Sequence, residues 1–117
     1  RVRSSAASDV YKRQVSLVFV TSDGKEHTES ATETVPIQDA PVAFRVTLLP
    51  TSSSTAVASF EYAQGGEFHP IGQPFEPARH TWVGARLALF CMPMNGGDNH
   101  GGWAEFGAVR VEAIETL

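Results

Sequence analysis

The spacing of apolar residues constrains the fold of this chain more than any other feature. From Val42 onward, apolar residues alternate with polar or small ones, so that Phe44, Val46 and Leu48 share one side of an extended segment. No segment places apolar residues at i, i+3, i+4 and i+7, which is the spacing of an amphipathic helix. The pattern therefore predicts an all-β protein.

Turn residues divide this pattern into seven predicted strands. They are residues 15–20, 26–34, 42–48, 57–62, 67–71, 82–92 and 103–114. The Asp-Gly pair at Asp23 and the run Gln64-Gly65-Gly66 are typical of hairpin turns. The segment 82–92 is apolar at nearly every position, which predicts a central strand covered on both faces. Short antiparallel strands separated by such turns are typical of a β-sandwich.

The first residues resemble a translated sequencing adapter. Residues 4–14 read SSAASDVYKRQ, which resembles one translated frame of an adapter and transposase end used to prepare sequencing libraries. We therefore expect residues 1–14 to be adapter-derived and disordered, and residues 15–117 to be the C-terminal part of an N-terminally truncated β-sandwich domain. The alternative is a natural polar N-terminus.

The charge balance limits the classes of partner. The chain has 9 basic and 13 acidic residues, a net charge of −4. Residues 15–117 alone hold 5 basic and 12 acidic residues, a net charge of −7. Nucleic acids and anionic membranes require a basic surface, so we expect neither as a partner. Nothing in the sequence indicates the cellular compartment, and the single cysteine, Cys91, is predicted to be a buried thiol because apolar residues flank it.

Three sequence blocks carry a family resemblance. They are the segment FEYAQGGEFHPIG at residues 60–72, WVGARLALF at residues 82–90, and GWAEF at residues 102–106. In this order and spacing they resemble the closing half of the concanavalin A-like jelly roll that follows the five-bladed catalytic propeller in many family 43 glycoside hydrolases, of the β-xylosidase and α-L-arabinofuranosidase type. The resemblance covers about residues 15–114.

The resemblance implies a domain without a catalytic site. In family 43 the carboxylic acid and the carboxylate base that hydrolyse the glycosidic bond lie in the propeller. The chain is then an accessory domain in hemicellulose degradation, with the missing propeller and its xylo- or arabino-oligosaccharide substrate as partners. The resemblance also implies that the loop before the second block, at His80, Thr81 and Trp82, reaches the mouth of the catalytic pocket. The alternative for Trp82 is a buried residue at the start of a strand.

The sequence offers little for a cofactor. The loop at residues 95–101 contains Asn95 and Asp98, whose oxygen atoms suit calcium, but one carboxylate is few for such a site and a plain Gly- and Asn-rich loop explains the same residues. The four histidines lack the spacing of a zinc site. We therefore expect no cofactor. Trp103 is interpreted as a core or strand-edge residue rather than a sugar-stacking platform.

Two other functions remain open at this stage. The chain is alternatively an independent carbohydrate-binding module, which would bind xylan or arabinan alone through exposed aromatic residues, or a structural sandwich of an unrelated surface protein. Sugar binding by the isolated chain and the sequence of the upstream gene distinguish these possibilities.

Overall fold

A computed structural model describes residues 2–9, 12–23, 28–77, 86–92 and 103–114. The chain divides into two compact units, Arg1–Ala85 and Arg86–Leu117. All regular secondary structure of the described residues lies in the first unit, and all of it is β-strand. Within the described residues there is also no helix of the length and apolarity needed to cross a membrane.

The first unit contains two antiparallel sheets of three strands each. Sheet A has the order β1-β2-β3 and sheet B the order β4-β5-β6. The strands are β1 (Val2–Asp9), β2 (Lys12–Asp23), β3 (Thr28–Ile37), β4 (Ala43–Pro50), β5 (Ala56–Ala63) and β6 (His69–Phe75). The all-β expectation is confirmed, and β2 to β6 correspond to the first five strands predicted from residue 15 onward.

Strand β2 is the buried centre of sheet A. Its apolar run buries Leu17 and Phe19 on one face and Val18 and Val20 on the other. The pairing register with β3 shifts between Phe19 and Val20, so that Thr32 is an extra residue in β3. Such a β-bulge increases the local twist of the strand. The Thr32 hydroxyl donates a hydrogen bond of 3.4 Å to the carbonyl oxygen of Phe19 across this irregularity.

The N-terminal segment differs from its expected disorder. Residues 2–9 form β1, which pairs antiparallel with β2 from Val2 opposite Phe19 to Asp9 opposite Lys12. A strand can be added to an open sheet edge through backbone hydrogen bonds alone, and this needs no particular side chains. A proline-free segment of any origin therefore suits this edge, and the adapter origin of residues 1–14 stays a prediction.

The core lies between the two sheets. Leu17 and Phe19 of sheet A form a buried cluster with Ile71 of β6. Phe60 and Phe75 of sheet B are half-buried beside it. The Phe19 ring meets the Phe60 ring edge-on at 5.7 Å between centroids and the Phe75 ring at 6.3 Å, while Phe60 and Phe75 stack at 5.7 Å. These are favourable aromatic geometries, and they hold the two sheets face to face.

The predicted core face of β4 is only partly buried. Val42 packs against the core cluster and Val46 is half-buried, but Phe44 and Leu48 on the same face are 44% and 45% exposed. The reason is the position of sheet A, whose core residues contact β5 and β6. The predicted strand is confirmed, but the sheet that covers this face does not extend fully over β4.

The second unit contradicts the last two predicted strands. Residues 86–92 and 103–114 form no strand, and their side chains are exposed. Trp103 is 75% exposed, and the Cys91 thiol is exposed as well, so the predictions of a core or edge tryptophan and of a buried thiol are wrong. An extended apolar segment is buried only when its backbone pairs in a sheet, and no such pairing occurs in these described residues.

The β6 strand also continues further than expected. The sequence predicts that this strand ends at Ile71, yet β6 extends to Phe75. The register between β5 and β6 shifts between Ala58 and Phe60, which leaves Gly72, Gln73 and Pro74 opposite Ser59 alone. Proline is tolerated at such a bulge and on an edge strand, because no ladder hydrogen bond is required from it there.

Candidate functional site

The residues predicted to contact sugar or metal lie outside the described residues. This applies to His80, Thr81 and Trp82 at the expected pocket loop, and to Asn95 and Asp98 at the weak calcium candidate. Their roles stay predictions. Among the residues that the structure does describe, no three His, Cys, Asp or Glu side chains come together in a group that would hold a metal ion.

A row of three rings crosses one end of sheet B. Phe44 of β4 is paired with Tyr62 of β5, and Tyr62 is paired with His69 of β6. Paired residues of adjacent strands project from the same face of a sheet, about 5 Å apart. The Tyr62 and His69 rings contact each other, with centroids 5.8 Å apart and planes tilted by 45°. We call Phe44, Tyr62 and His69 the ring row.

The ring row lies at the rim of the core. Tyr62 packs partly against the core cluster, while Phe44 is 44% exposed and His69 is exposed. The next residues along the same face, Val46, Phe60 and Ile71, lead into the core between the sheets. Core residues therefore support the ring row on one side, and the row is open to solvent on the other.

An open depression of about 480 Å³ lies at the same end of sheet B. It is lined by Pro36, Ile37, Gln38, Ala40, Pro41, Gln64 and Gly65. The chain enters β4 two residues after Pro41 and leaves β5 one residue before Gln64. The depression and the ring row therefore share the end of the sheet at which β4 begins and β5 ends.

The Gln64 side chain fixes the floor of this depression. Its Oε1 accepts a hydrogen bond of 2.9 Å from the backbone N–H of Gln38. Its Nε2 donates to the backbone carbonyl oxygens of Gln38 at 2.9 Å and Ala40 at 3.0 Å. The side-chain amide thus replaces a backbone peptide group as partner of the connection between β3 and β4. The Gln38 side chain, in contrast, has no hydrogen bond within the described residues.

The opposite face of sheet B carries a charged pair. Arg45 and Glu61 are paired across β4 and β5, and the guanidinium donates two hydrogen bonds to the carboxylate, from Nε at 3.0 Å and from the terminal nitrogen at 2.9 Å. The Arg45 guanidinium also lies 4.1 Å above the centre of the Phe68 ring. The hydrogen bond from Arg45 lowers the pKa of Glu61 below its ordinary range. The two side chains therefore neutralise each other's charge and leave no unbalanced charge on this face.

The chain matches the family model described as the β-xylosidase C-terminal concanavalin A-like domain, over residues 5–112. That range contains sheet B, sheet A except residues 2–4 of β1, and all three sequence blocks that carry the resemblance. The chain belongs to this family. No curated protein sequence and no solved structure matches the chain.

Family membership confirms the recognition made from the three blocks and places the domain in glycoside hydrolases of family 43, beside a catalytic domain. The family match begins at residue 5, inside the segment that resembles an adapter sequence. The ring row was not recognised from sequence. The hairpin around Gly65 and Gly66 was predicted, and counting outward from that turn would have paired Tyr62 with His69.

Proposed function

We propose that this chain is a non-catalytic accessory domain that packs on the catalytic propeller of a family 43 glycoside hydrolase and helps to shape its substrate pocket. The observation that carries this proposal is the match to the C-terminal domain family over residues 5–112. The substrate of the parent enzyme is then a xylo- or arabino-oligosaccharide, and the pocket loop is formed by His80, Thr81 and Trp82.

Two carboxylates with defined partners support a structural rather than a catalytic role. Glu61 is held by Arg45 on the outer face of sheet B, and Glu33 accepts a hydrogen bond from the backbone of Gly72. A general acid in glycoside hydrolysis needs a raised pKa, whereas the pKa of Glu61 is lowered. Neither carboxylate is arranged for proton transfer to a sugar.

The exposed apolar side chains of the second unit support packing against another domain. Leu87 is 66% exposed, Trp103 75% and Val111 90%. Large exposed apolar surface is a mark of interaction sites in soluble proteins. In the proposed parent enzyme, the catalytic domain supplies the surface that covers such residues.

The experiment compares the full-length parent enzyme with its isolated catalytic domain. We expect removal of the accessory domain to lower kcat/KM on short xylo-oligosaccharides, and the separately purified chain to restore part of it when added back. The chain alone should not hydrolyse aryl xylosides or arabinosides. Turnover by the chain alone that disappears on mutation of an acidic residue within 15–117 would contradict the proposal.

A Trp82→Ala variant of the full-length enzyme tests the pocket loop. If Trp82 lines the pocket, kcat should fall while the melting temperature is nearly kept, because the ring acts on the substrate and not on the core. A buried tryptophan would instead cost about 3–5 kcal/mol of stability on truncation. Early melting with normal turnover of the remaining folded enzyme would assign Trp82 to the core.

A further inference from the structure

We propose that the ring row of Phe44, Tyr62 and His69 is a binding surface for a neutral chain of pyranose sugars. This inference does not depend on the accessory role, because it concerns the isolated chain. Three rings from three adjacent strands share one face of sheet B.

The geometry suits a sugar chain. The C–H face of a pyranose packs against an aromatic face, as apolar ligand surfaces do in pockets lined by aromatic residues. Adjacent strands lie about 5 Å apart, so three rings in register follow each other at roughly the repeat of a linked pyranose chain. The 5.8 Å between the Tyr62 and His69 centroids agrees with that spacing. A chain lying across the strands would therefore meet successive rings.

The polar groups near the row suit hydroxyl-rich ligands. The Tyr62 hydroxyl has no hydrogen bond in the part of the chain that the structure describes, and neither does the Gln38 side chain at the edge of the depression. The exposed His69 ring adds nitrogen atoms that donate or accept hydrogen bonds. A small-ligand site usually consists of aromatic surface with a few polar groups around it.

The charge distribution favours a neutral ligand. Arg45 and Glu61 are sequence neighbours of Phe44 and Tyr62, but they project from the opposite face and neutralise each other. A protein partner is less well matched, because three side chains provide far less than the roughly 800 Å² per partner that a stable protein interface buries. The row and the depression together are of a size that a few sugar rings would cover.

The test is saturation-transfer difference NMR on the full 117-residue chain, which detects ligand contact even with large protein assemblies. The probes are xylohexaose and cellohexaose as pyranose chains, α-1,5-linked arabinohexaose as a furanose chain, and trigalacturonic acid as a charged chain. We expect transfer to both pyranose chains, and weak or no transfer to the furanose and charged chains. Equal transfer to all four probes, or none to the pyranose chains, would overturn the proposal.

Matched variants locate the binding. Phe44→Ala and Leu49→Ala remove similarly exposed apolar side chains, 44% and 41%, from opposite faces of β4. We expect Phe44→Ala and His69→Ala to weaken xylohexaose binding on the order of tenfold, the loss of about one aromatic contact, with Leu49→Ala unchanged. If Leu49→Ala weakens binding as much as Phe44→Ala, the ring row is not the site.

A measurement without mutation guards against misfolded variants. In the wild-type chain, chemical shifts of Phe44, Tyr62 and His69 should move during titration with xylohexaose, and those of Arg45 and Glu61 on the opposite face should not. Shifts confined to other residues would place the sugar elsewhere. These measurements use the isolated chain, so their results do not depend on packing against a catalytic domain. The proposed accessory role and the proposed sugar site can therefore be disproved separately.

Discussion

The backbone N–H of Gly72 donates a hydrogen bond of 2.5 Å to the carboxylate of Glu33, joining β6 of sheet B to β3 of sheet A. Gly72 has φ +73° and lies in the bulge of β6, directly against the Phe19 ring. The bulge thus turns one amide away from its own ladder and toward the other sheet. This contact and the Phe19 cluster connect the two sheets at the same place.

Replacement of Gly72 by alanine is expected to destabilise the fold by at least about 2 kcal/mol. A Cβ atom there would lie 2.5 Å from ring carbons of Phe19, and overpacking costs about 1–3 kcal/mol. The left-handed backbone adds about 1–2 kcal/mol. Chemical denaturation would measure the change.

Two turn glycines are the controls for that variant. Gly65 has φ +106° with open space, so Gly65→Ala carries only the backbone cost. Gly66 has open space and no positive φ, so Gly66→Ala should be close to neutral. A Gly72→Ala protein as stable as Gly66→Ala would disprove the packing against Phe19.

The acceptor at Glu33 is tested by two substitutions. Glu33→Ala leaves the half-buried Gly72 amide without its acceptor and should cost about 1–3 kcal/mol. Glu33→Gln keeps an oxygen acceptor and should lose clearly less. Denaturation curves of the two variants give the difference, and equal losses would show that the negative charge, rather than the acceptor, matters.

Replacement of the Gln64 side-chain amide by a carboxylate is expected to destabilise the fold. Gln64→Glu places an oxygen where Nε2 now donates to the carbonyls of Gln38 and Ala40, so the variant should be less stable than Gln64→Ala at pH 7. Protonation restores one donor, so the Glu variant should regain stability as the pH falls toward 4. A Gln64→Glu protein that matches the wild type at pH 7 would contradict this arrangement.

The Arg45–Glu61 pair should stabilise the fold only where Glu61 is ionised. Since the pKa of Glu61 is lowered in the folded state, its contribution is present above the ordinary value of 4.5 and is lost as the pH falls through the folded pKa. We expect the melting temperature of Glu61→Gln to be lower than that of the wild type at pH 7 and equal to it at pH 2–3. High salt should reduce the difference at pH 7.

Glu67 provides the control for Glu61. It is exposed and has no ion pair within the described residues, so Glu67→Gln should leave the melting temperature at pH 7 unchanged relative to wild type. If both variants behave alike, the effect comes from net charge and not from the pair with Arg45.

The adapter interpretation predicts that deletion of residues 1–14 changes the free energy of unfolding by less than about 1 kcal/mol, the size of a typical point mutation. The structure makes this a stringent test, because β1 pairs with the edge of β2 from Lys12 to Phe19. Differential scanning calorimetry of the deleted and intact chains gives the answer. A larger loss would show that β1 is an integral strand of sheet A.

The sequence alone determined the strand pattern from β2 to β6 and the family. The alternation from Val42, the apolar run of β2 and the turn at Gly65 and Gly66 are local signals, because side-chain direction in a strand follows directly from chain position. The three blocks that led to the family are likewise local. These predictions needed no knowledge of how the sheets pack.

Only the tertiary structure decided which apolar faces are covered. Phe44 and Val46 have the same place in the alternation, yet Phe44 is exposed because sheet A packs over β5 and β6. The contact of Gly72 with Phe19 and Glu33 joins residues far apart in the chain, so no local pattern contains it. Burial depends on the position of the opposing sheet, and that position is set by the whole core at once.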